Sequence, residues 1–213
     1  MLAVISPAKT LDFESSPKTN VSSVPDFLDQ SELLIERLRT LSEQELSSLM
    51  SISPKLASLN RQRYHDWCVP FSSENAKQAI LAFKGDVYTG FTLDQYTSKD
   101  FDYAQKHLRI LSGLYGLLRP LDLIQPYRLE MGTKLSTEHA RDLYAFWKPV
   151  IGNAILEAIE ASGKNVLINL ASQEYFQALD RRDLEARVIT PIFKDEKNGG
   201  INKSSVDARK DRG

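Results

Sequence analysis

The sequence predicts a mixed α/β fold in which helices surround a sheet, and two kinds of segment indicate it. Short runs rich in apolar and β-branched residues occur at 2–5, 165–170 and 187–193, and such runs are typical of buried strands. Longer stretches carry apolar residues at helical spacing. A helical stretch at 174–179 lies between the last two runs, and the order strand, helix, strand predicts an α/β unit.

The N-terminal strand and the first helix have clear boundaries. The apolar run 2–5 is closed by Pro7, because proline cannot donate a hydrogen bond to a sheet. Residues 14–25 are rich in Ser, Pro, Thr and Asn, which indicates a loop. Pro25 suits the first turn of the helix that follows.

Capping residues predict where the next helices begin. Ser42 and Glu45 form a capping box for a short helix, and the pair Ser53-Pro54 begins another. Ser98 is placed to cap a further helix, and residues 140–159 carry the pattern of a long amphipathic one.

Composition and charge exclude several classes of protein. The chain has 213 residues, 42% hydrophobic and 26% charged, which is ordinary for a folded globular protein. Lys and Arg number 27 against 28 Asp and Glu, so any site for a polyanion has to be a local patch. With Cys68 as its single cysteine and no signal or membrane segment, the chain is expected to be a cytoplasmic monomer.

No metal ion or cofactor is predicted. The three histidines His65, His107 and His139 are far apart, and none has a second ligand at the usual spacing. The segment Gly85–Gly90 has the glycine spacing of a phosphate loop but lacks the lysine that would follow. Ser6 and Lys9 match the S-x-x-K pattern of some hydrolases, yet the other motifs of those enzymes are missing. We therefore interpret Ser6 as a cap and Lys9 as a cation facing a cleft.

The densest signal lies at residues 108–120. Two apolar segments flank a tight turn with two glycines, which predicts a helix-hairpin-helix whose exposed backbone N–H groups would bind a phosphate. Residues 104–134 hold five Lys or Arg against two Asp or Glu. The alternative is a helix end and a loop whose arginines pair with Asp122 and Glu130. The DNA-binding candidates are Lys106, Arg109, Ser112, Gly113, Tyr115, Gly116 and Arg119.

The chain resembles the YaaA family of bacterial proteins at five short sequence motifs. These motifs lie at residues 6–10, 82–90, 108–122, 126–132 and 169–175. The resemblance implies a cytosolic protein of the peroxide stress response that limits free iron and Fenton damage. It also implies a helix-hairpin-helix that binds DNA and lies beside a positively charged cleft. Carried over by position, the cleft candidates are Ser6, Lys9, Lys84, Tyr88, Arg128, Lys134, Ser172, Glu174 and Tyr175.

The resemblance covers residues 1–198, which we expect to form a single domain. The family continues with an apolar strand and a helix rich in Lys and Arg, whereas residues 199–213 show neither pattern. We therefore expect a truncated fold with a disordered tail at 199–213.

Three functions follow from these observations. The leading hypothesis is non-specific binding of duplex or distorted DNA through its phosphates. The alternative is an enzyme that acts on a small anionic ligand, with Lys9, Lys84, Arg128 and Glu174 as an electrostatic clamp and a tyrosine as proton donor. A scaffold role is third. The sequence leaves open whether the protein is an enzyme, and no catalytic residue is assigned.

Overall fold

The computed structural model describes residues 1–179, 184–192, 194–197 and 200–203. The elements of the first half are β1 (Leu2–Ile5), β2 (Thr10–Leu11), α1 (Leu28–Arg39), α2 (Glu43–Met50), α3 (Pro54–Asp66), β3 (Lys77–Gln78), α4 (Ala79–Ala82), β4 (Phe83–Lys84), α5 (Asp86–Thr89), a 3-10 helix (Leu93–Gln95) and α6 (Ser98–His107). Those of the second half are β5 (Leu108–Ser112), β6 (Gly116–Leu118), β7 (Leu123–Ile124), α7 (Leu143–Ala161), β8 (Val166–Asn169), α8 (Gln173–Phe176), β9 (Arg187–Ile189), β10 (Lys194–Lys197) and β11 (Gly200–Lys203).

A five-stranded mixed sheet organises the fold, in the order β6-β5-β1-β8-β9. The central strand β1 runs parallel to β5 on one side and to β8 on the other, with Ile5 opposite Ile110 and Val4 opposite Asn169. Strand β9 continues parallel to β8, while β6 is antiparallel to β5. The predicted mixed α/β fold is therefore confirmed.

Helices α2 and α3 begin where their capping residues predict, whereas Thr97 caps α6 in place of the predicted Ser98, and α1 begins at Leu28 rather than at Pro25. The Glu45 backbone N–H donates to Ser42 Oγ, and the Ser42 N–H donates to a carboxylate oxygen of Glu45, which completes the capping box of α2. Pro54 occupies the first turn of α3, where the Ser53 hydroxyl accepts from a backbone N–H. Helices α1 and α2 both pack against α3, so the first third of the chain forms one helical group.

The core lies around β1, whose residues Leu2, Val4 and Ile5 are at most 2% exposed. A parallel strand at the centre of a sheet is covered on both faces, which explains the unbroken apolar run in the sequence. Helix α6 packs against β1 and β5, and α7 packs against β6 and α6.

The helix-hairpin-helix predicted at residues 108–121 is wrong for this segment. Helix α6 ends at His107, and the chain continues as the antiparallel hairpin β5–β6. A short apolar run fits a buried strand as well as a helix, and pairing with β1 decides in favour of the strand.

Gly116 takes a φ of +67°, and a Cβ there would lie 2.6 Å from the Trp147 ring. Gly113 packs against the Leu129 carbonyl oxygen, 2.2 Å from where a Cβ would lie. The two glycines thus permit close packing in the core.

The C-terminal segment carries a second hairpin. Strands β10 and β11 pair antiparallel to each other. Of the tail predicted at 199–213, residues 200–203 form β11, and residues 199 and 204–213 lie outside the described residues. The truncation expected from the sequence stays a prediction.

Candidate functional site

A crevice forms at the carboxyl ends of β1 and β8. Ser6 follows β1, and its hydroxyl oxygen accepts from the Ser172 backbone N–H at 2.9 Å and donates to Ser172 Oγ at 3.3 Å. The Tyr88 hydroxyl donates to the Ser6 carbonyl at 3.0 Å. Strands β5 and β8 flank β1 on opposite sides, and open α/β sheets bind ligands outside the carboxyl ends of strands at such a point.

Glu130 joins two of the predicted cations beside this crevice. Its Oε2 lies 2.8 Å from Lys9 Nζ, and its Oε1 lies 3.1 Å from a terminal nitrogen of Arg128. The Arg128 side chain is 19% exposed, and its Nε is buried without a hydrogen-bond partner among the described residues. Glu130 was considered in the sequence only as a pairing partner, yet it fixes the relative positions of Lys9 and Arg128.

Glu174 lies on the other side of the crevice. The Gly132 backbone N–H donates to Glu174 Oε1 at 3.0 Å, and the Tyr144 hydroxyl donates to the Glu174 carbonyl at 2.9 Å. A cavity of about 490 Å³ opens here. Its lining consists of Leu49, Met50, Ser51, Glu130, Gly132, Thr133, Tyr144, Gln173, Glu174 and Gln177. This size suits a small ligand.

Three buried tyrosines lie beneath the crevice. Burial raises the pKa values of Tyr88, Tyr127 and Tyr175 above the usual value for a phenol. The carboxylates of Glu174 and Glu130 raise the pKa of Tyr175 further. These phenols are therefore neutral at physiological pH and can donate hydrogen bonds, whereas they are poor bases.

Two predicted cleft residues line other cavities. Lys84 lines one of about 490 Å³, which it shares with Tyr88, and its Nζ is 3.8 Å from Asp12. The buried Lys77 shares that cavity, and its Nζ donates to the carbonyls of Asp12 and Ser15 at 2.9 and 2.7 Å. Lys134 lines a cavity of about 350 Å³ beside α2. The structure thus brings together the remaining seven, which are Ser6, Lys9, Tyr88, Arg128, Ser172, Glu174 and Tyr175.

The predicted DNA-binding residues at the β5–β6 hairpin lie mostly in the interior. Ser112 and Tyr115 have no exposed surface, and Gly113 and Gly116 are buried as well. The Ser112 hydroxyl shares a hydrogen bond of 2.7 Å with the Tyr127 hydroxyl and accepts from the Tyr115 N–H. These groups are buried in the core, so they present no surface to a phosphate.

The two arginines of this segment are also engaged within the protein. A terminal nitrogen of Arg109 donates to the carbonyls of Gln105 and Leu108. Arg119 lies within 3.0 Å of both Asp26 and Asp122, and the Asp122 side chain is 1% exposed. The ion pairing considered as an alternative in the sequence analysis thus describes Arg119. Of the seven candidates, only Lys106 is exposed.

Another part of the chain forms a helix–turn–helix unit, which we call the α2–α3 hairpin (residues 43–66). Three residues join the two helices: Ser51 has a left-handed backbone with φ and ψ of 51°, Ile52 is buried, and Ser53 caps α3. Ser51 and Ser53 are exposed, as is Lys55 in the first turn of α3. Ser51 also lines the crevice cavity, so the hairpin borders the site.

A family model described as peroxide stress protein YaaA matches residues 1–213. The chain belongs to this YaaA family. The family resemblance inferred from the sequence motifs is therefore confirmed, and so is the link to the response to peroxide.

Two further observations concern this YaaA family member. None of the helices in the described part of the chain is both long and apolar enough to cross a membrane. Within the same residues, no group of three or more His, Cys, Asp or Glu side chains is arranged to hold a metal ion.

Proposed function

We propose that this YaaA protein acts in the peroxide stress response by binding the phosphate backbone of duplex or distorted DNA through the α2–α3 hairpin. The observation that supports the proposal is the three-residue turn between two packed helices, in which Ser51 and Ser53 are exposed and Ile52 is buried. The sequence assigned this role to the β5–β6 hairpin, whose turn is buried. The α2–α3 hairpin offers the surface that the role requires.

The chemistry of the turn suits a phosphate. The first backbone N–H groups of a helix have no acceptor within the helix, and the helix dipole favours an anion there. Ser53 Oγ accepts from the Leu56 N–H, while the Lys55 N–H is left for a ligand. The Lys55 ammonium and the Ser51 hydroxyl add a charge and a donor. Such contacts read no bases, so binding is non-specific and depends steeply on salt.

The resemblance links the family to limiting free iron and Fenton damage. A protein that binds DNA would act at the molecule that free iron and peroxide damage. No iron ligands are assigned.

Fluorescence anisotropy with labelled duplexes of two unrelated sequences tests the DNA proposal. Lys55→Ala is expected to lower the affinity for both duplexes by a similar factor, and to reduce the slope of log K against log salt by about one unit. Lys164→Ala is the matched control, because Lys164 is exposed at the opposite end of β8. Equal affinities for Lys55→Ala and the unmodified protein would contradict the proposal.

A second candidate function is an enzyme or binding protein for a small anionic ligand in the crevice. It is favoured by the position of Lys9, Arg128 and Glu130 at the carboxyl ends of two parallel strands. Lys9 and Arg128 would attract the anion, and the neutral Tyr175 hydroxyl would donate a hydrogen bond to it. Isothermal titration with small anions, using Lys9→Ala and the matched Lys164→Ala, tests this candidate.

A further inference from the structure

A second cavity, which we call the Lys84 cavity, is distinct from the crevice cavity. Its volume is about 490 Å³, and its lining comes from residues within 12–18, 77–84 and 88–95. Of the described residues, none lines both this cavity and the crevice cavity. Three segments of the chain thus enclose a space large enough for a small organic ligand.

One wall of the Lys84 cavity is aromatic. Phe83, Tyr88 and Phe91 line it, and their ring centroids are 5.4 Å apart for Phe83 and Tyr88 and 6.2 Å apart for Tyr88 and Phe91. Phe83 and Tyr88 are buried, whereas Phe91 is half-buried. Aromatic rings attract a further ring in edge-to-face or offset contact at such spacings. This wall therefore favours a planar aromatic group over an aliphatic chain.

The charged residues of the lining are three lysines and two aspartates, so the cavity has a net positive charge. Lys77 uses its three ammonium donors within the protein, because its Nζ donates to the carbonyls of Asp12 and Ser15 and to the Ser15 hydroxyl. These bonds hold residues 12–15 in place as one side of the cavity. Lys77 is thus a structural group that shapes the cavity and has no donor left for a ligand.

Lys18 joins two sides of the cavity. Its Nζ lies 2.6 Å from a carboxylate oxygen of Asp94, although the two residues are distant in sequence. The side chains are 51% and 79% exposed, and exposed ion pairs contribute little to stability. The two sides can therefore separate at this ion pair and admit a ligand.

Lys84 is the lysine whose ammonium group remains available. Its Nζ is 3.8 Å from Asp12 Oδ2, which is beyond hydrogen-bond distance, and its side chain is 67% exposed. The Asp12 carboxylate instead accepts from the backbone N–H groups of Glu14 and Ser15. An anionic group in the cavity would give the Lys84 ammonium a hydrogen-bond acceptor and would balance the net positive charge.

We propose that the Lys84 cavity binds a small aromatic anion. The ring of the ligand packs against Phe91 and the edges of Phe83 and Tyr88, and its carboxylate or phosphate group accepts from Lys84 Nζ. The inference goes beyond DNA binding by the α2–α3 hairpin, and it uses neither the hairpin nor the crevice.

Isothermal titration of the full chain with two aromatic anions tests the proposal. The probes are 2-naphthoate, which carries a carboxylate, and adenosine 5′-monophosphate, which carries a phosphate. The unmodified protein is expected to bind at least one of them, and the tighter probe identifies the anionic group. Adenosine and 2-naphthalenemethanol lack the charge, and acetate and inorganic phosphate lack the ring. These four compounds should bind at least about threefold more weakly, because each makes only one of the two contacts.

Substitutions in the lining should change the affinity in opposite directions. Lys84→Gln should weaken binding of the tighter probe by about threefold or more, since the charged donor is lost. Asp94→Asn should strengthen it by about twofold to fivefold, because Lys18 loses its partner and the lining loses a negative charge. Phe91→Leu keeps an apolar group without the ring and should weaken binding by about twofold to tenfold.

Lys164→Gln removes an exposed lysine outside the lining and should bind the probes as the unmodified protein does. Thermal melts verify that each variant is folded. The proposal would be overturned if neither aromatic anion bound the unmodified protein, if the compounds without ring or charge bound equally well, or if a folded Lys84→Gln variant kept full affinity.

A titration of Lys84→Gln with duplex DNA separates this proposal from the one on the α2–α3 hairpin. We expect the duplex affinity of this variant to equal that of the unmodified protein, whereas Lys55→Ala loses duplex affinity and keeps the affinity for the aromatic anion. Loss of duplex affinity in Lys84→Gln, with neither probe bound by the unmodified protein, would assign the cavity to DNA and contradict the small ligand.

Discussion

At the scale of single residues, Gly113 and Gly116 permit close packing in the core, whereas the sequence suggested that they form a phosphate-binding turn. The sequence analysis placed Gly113 and Gly116 in a turn that exposes backbone N–H groups. In the structure Gly113 lies against the Leu129 carbonyl, and Gly116 lies against Trp147, whose indole N–H donates to the Gly113 carbonyl at 2.9 Å. Only the tertiary fold shows these contacts, because Leu129 and Trp147 are distant in sequence.

Gly113→Ala should destabilise the protein by roughly 3 kcal/mol, since its Cβ would lie 2.2 Å from the Leu129 carbonyl oxygen and backbone has to move. Gly152→Ala is the control, because its Cβ would meet nothing within 4 Å in the middle of α7. That substitution should stabilise by up to about 1 kcal/mol. Urea denaturation measures both, and equal stabilities would refute the packing role of Gly113.

Arg119 is expected to contribute to the free energy of unfolding and to have little effect on DNA affinity. Arg119→Ala leaves the buried Asp122 carboxylate without its ion pair, which should cost about 3 kcal/mol or more. Arg141→Ala removes an exposed ion pair with Asp142 and should change the free energy of unfolding by less than about 1 kcal/mol. Calorimetry of both variants checks the difference. A folded Arg119→Ala protein that has lost DNA affinity would show instead that Arg119 contacts DNA.

At the scale of elements, local signals predicted the starts of α2 and α3, and the tertiary partner decided the strands. The capping box of Ser42 and Glu45 predicted the start of α2, because its bonds join residues three positions apart. The segment 108–112 was interpreted as helix, and its pairing with β1 makes it a strand. Both helices of the α2–α3 hairpin were predicted, but the turn between them was not, since nothing local shows that Ser51 adopts a left-handed backbone.

The N-terminus of α6 should make stability depend on pH. The Asp100 carboxylate accepts hydrogen bonds from the Thr97 hydroxyl and the Thr97 backbone N–H, and these bonds lower the pKa of Asp100 below 3.8. A carboxyl with a lowered pKa in the folded state stabilises the fold above its unfolded pKa. That stability is lost as the pH falls through the folded pKa.

Asp100→Ala should therefore be less stable than the unmodified protein at neutral pH, and the difference should shrink in acid. Asp102→Ala, an exposed change on the same helix, provides the control. Thermal melts between neutral pH and pH 3 measure the effect. A difference for Asp100→Ala that is constant with pH would contradict the role of this carboxylate.

At the scale of the whole molecule, the sequence identified the fold class and the family, and among its site candidates Glu174 lines the crevice cavity. Strands β1 and β8 were predicted from their apolar runs, whereas Ser6 and Ser172 were assigned to one cleft by the family resemblance, and only the structure shows their hydrogen bonds. Lys84 was assigned to the crevice by resemblance alone, and the fold gives it to another cavity.

The central claim is that the α2–α3 hairpin binds DNA, and hydrogen exchange of backbone amides with and without a duplex at low salt tests it most directly. Added duplex is expected to protect the amides at residues 51–57, where the Lys55 N–H has no acceptor within the helix. Exchange at residues 113–118 should be unchanged, because that turn is buried in the free protein. Protection by DNA at 113–118 without any at 51–57 would contradict the account.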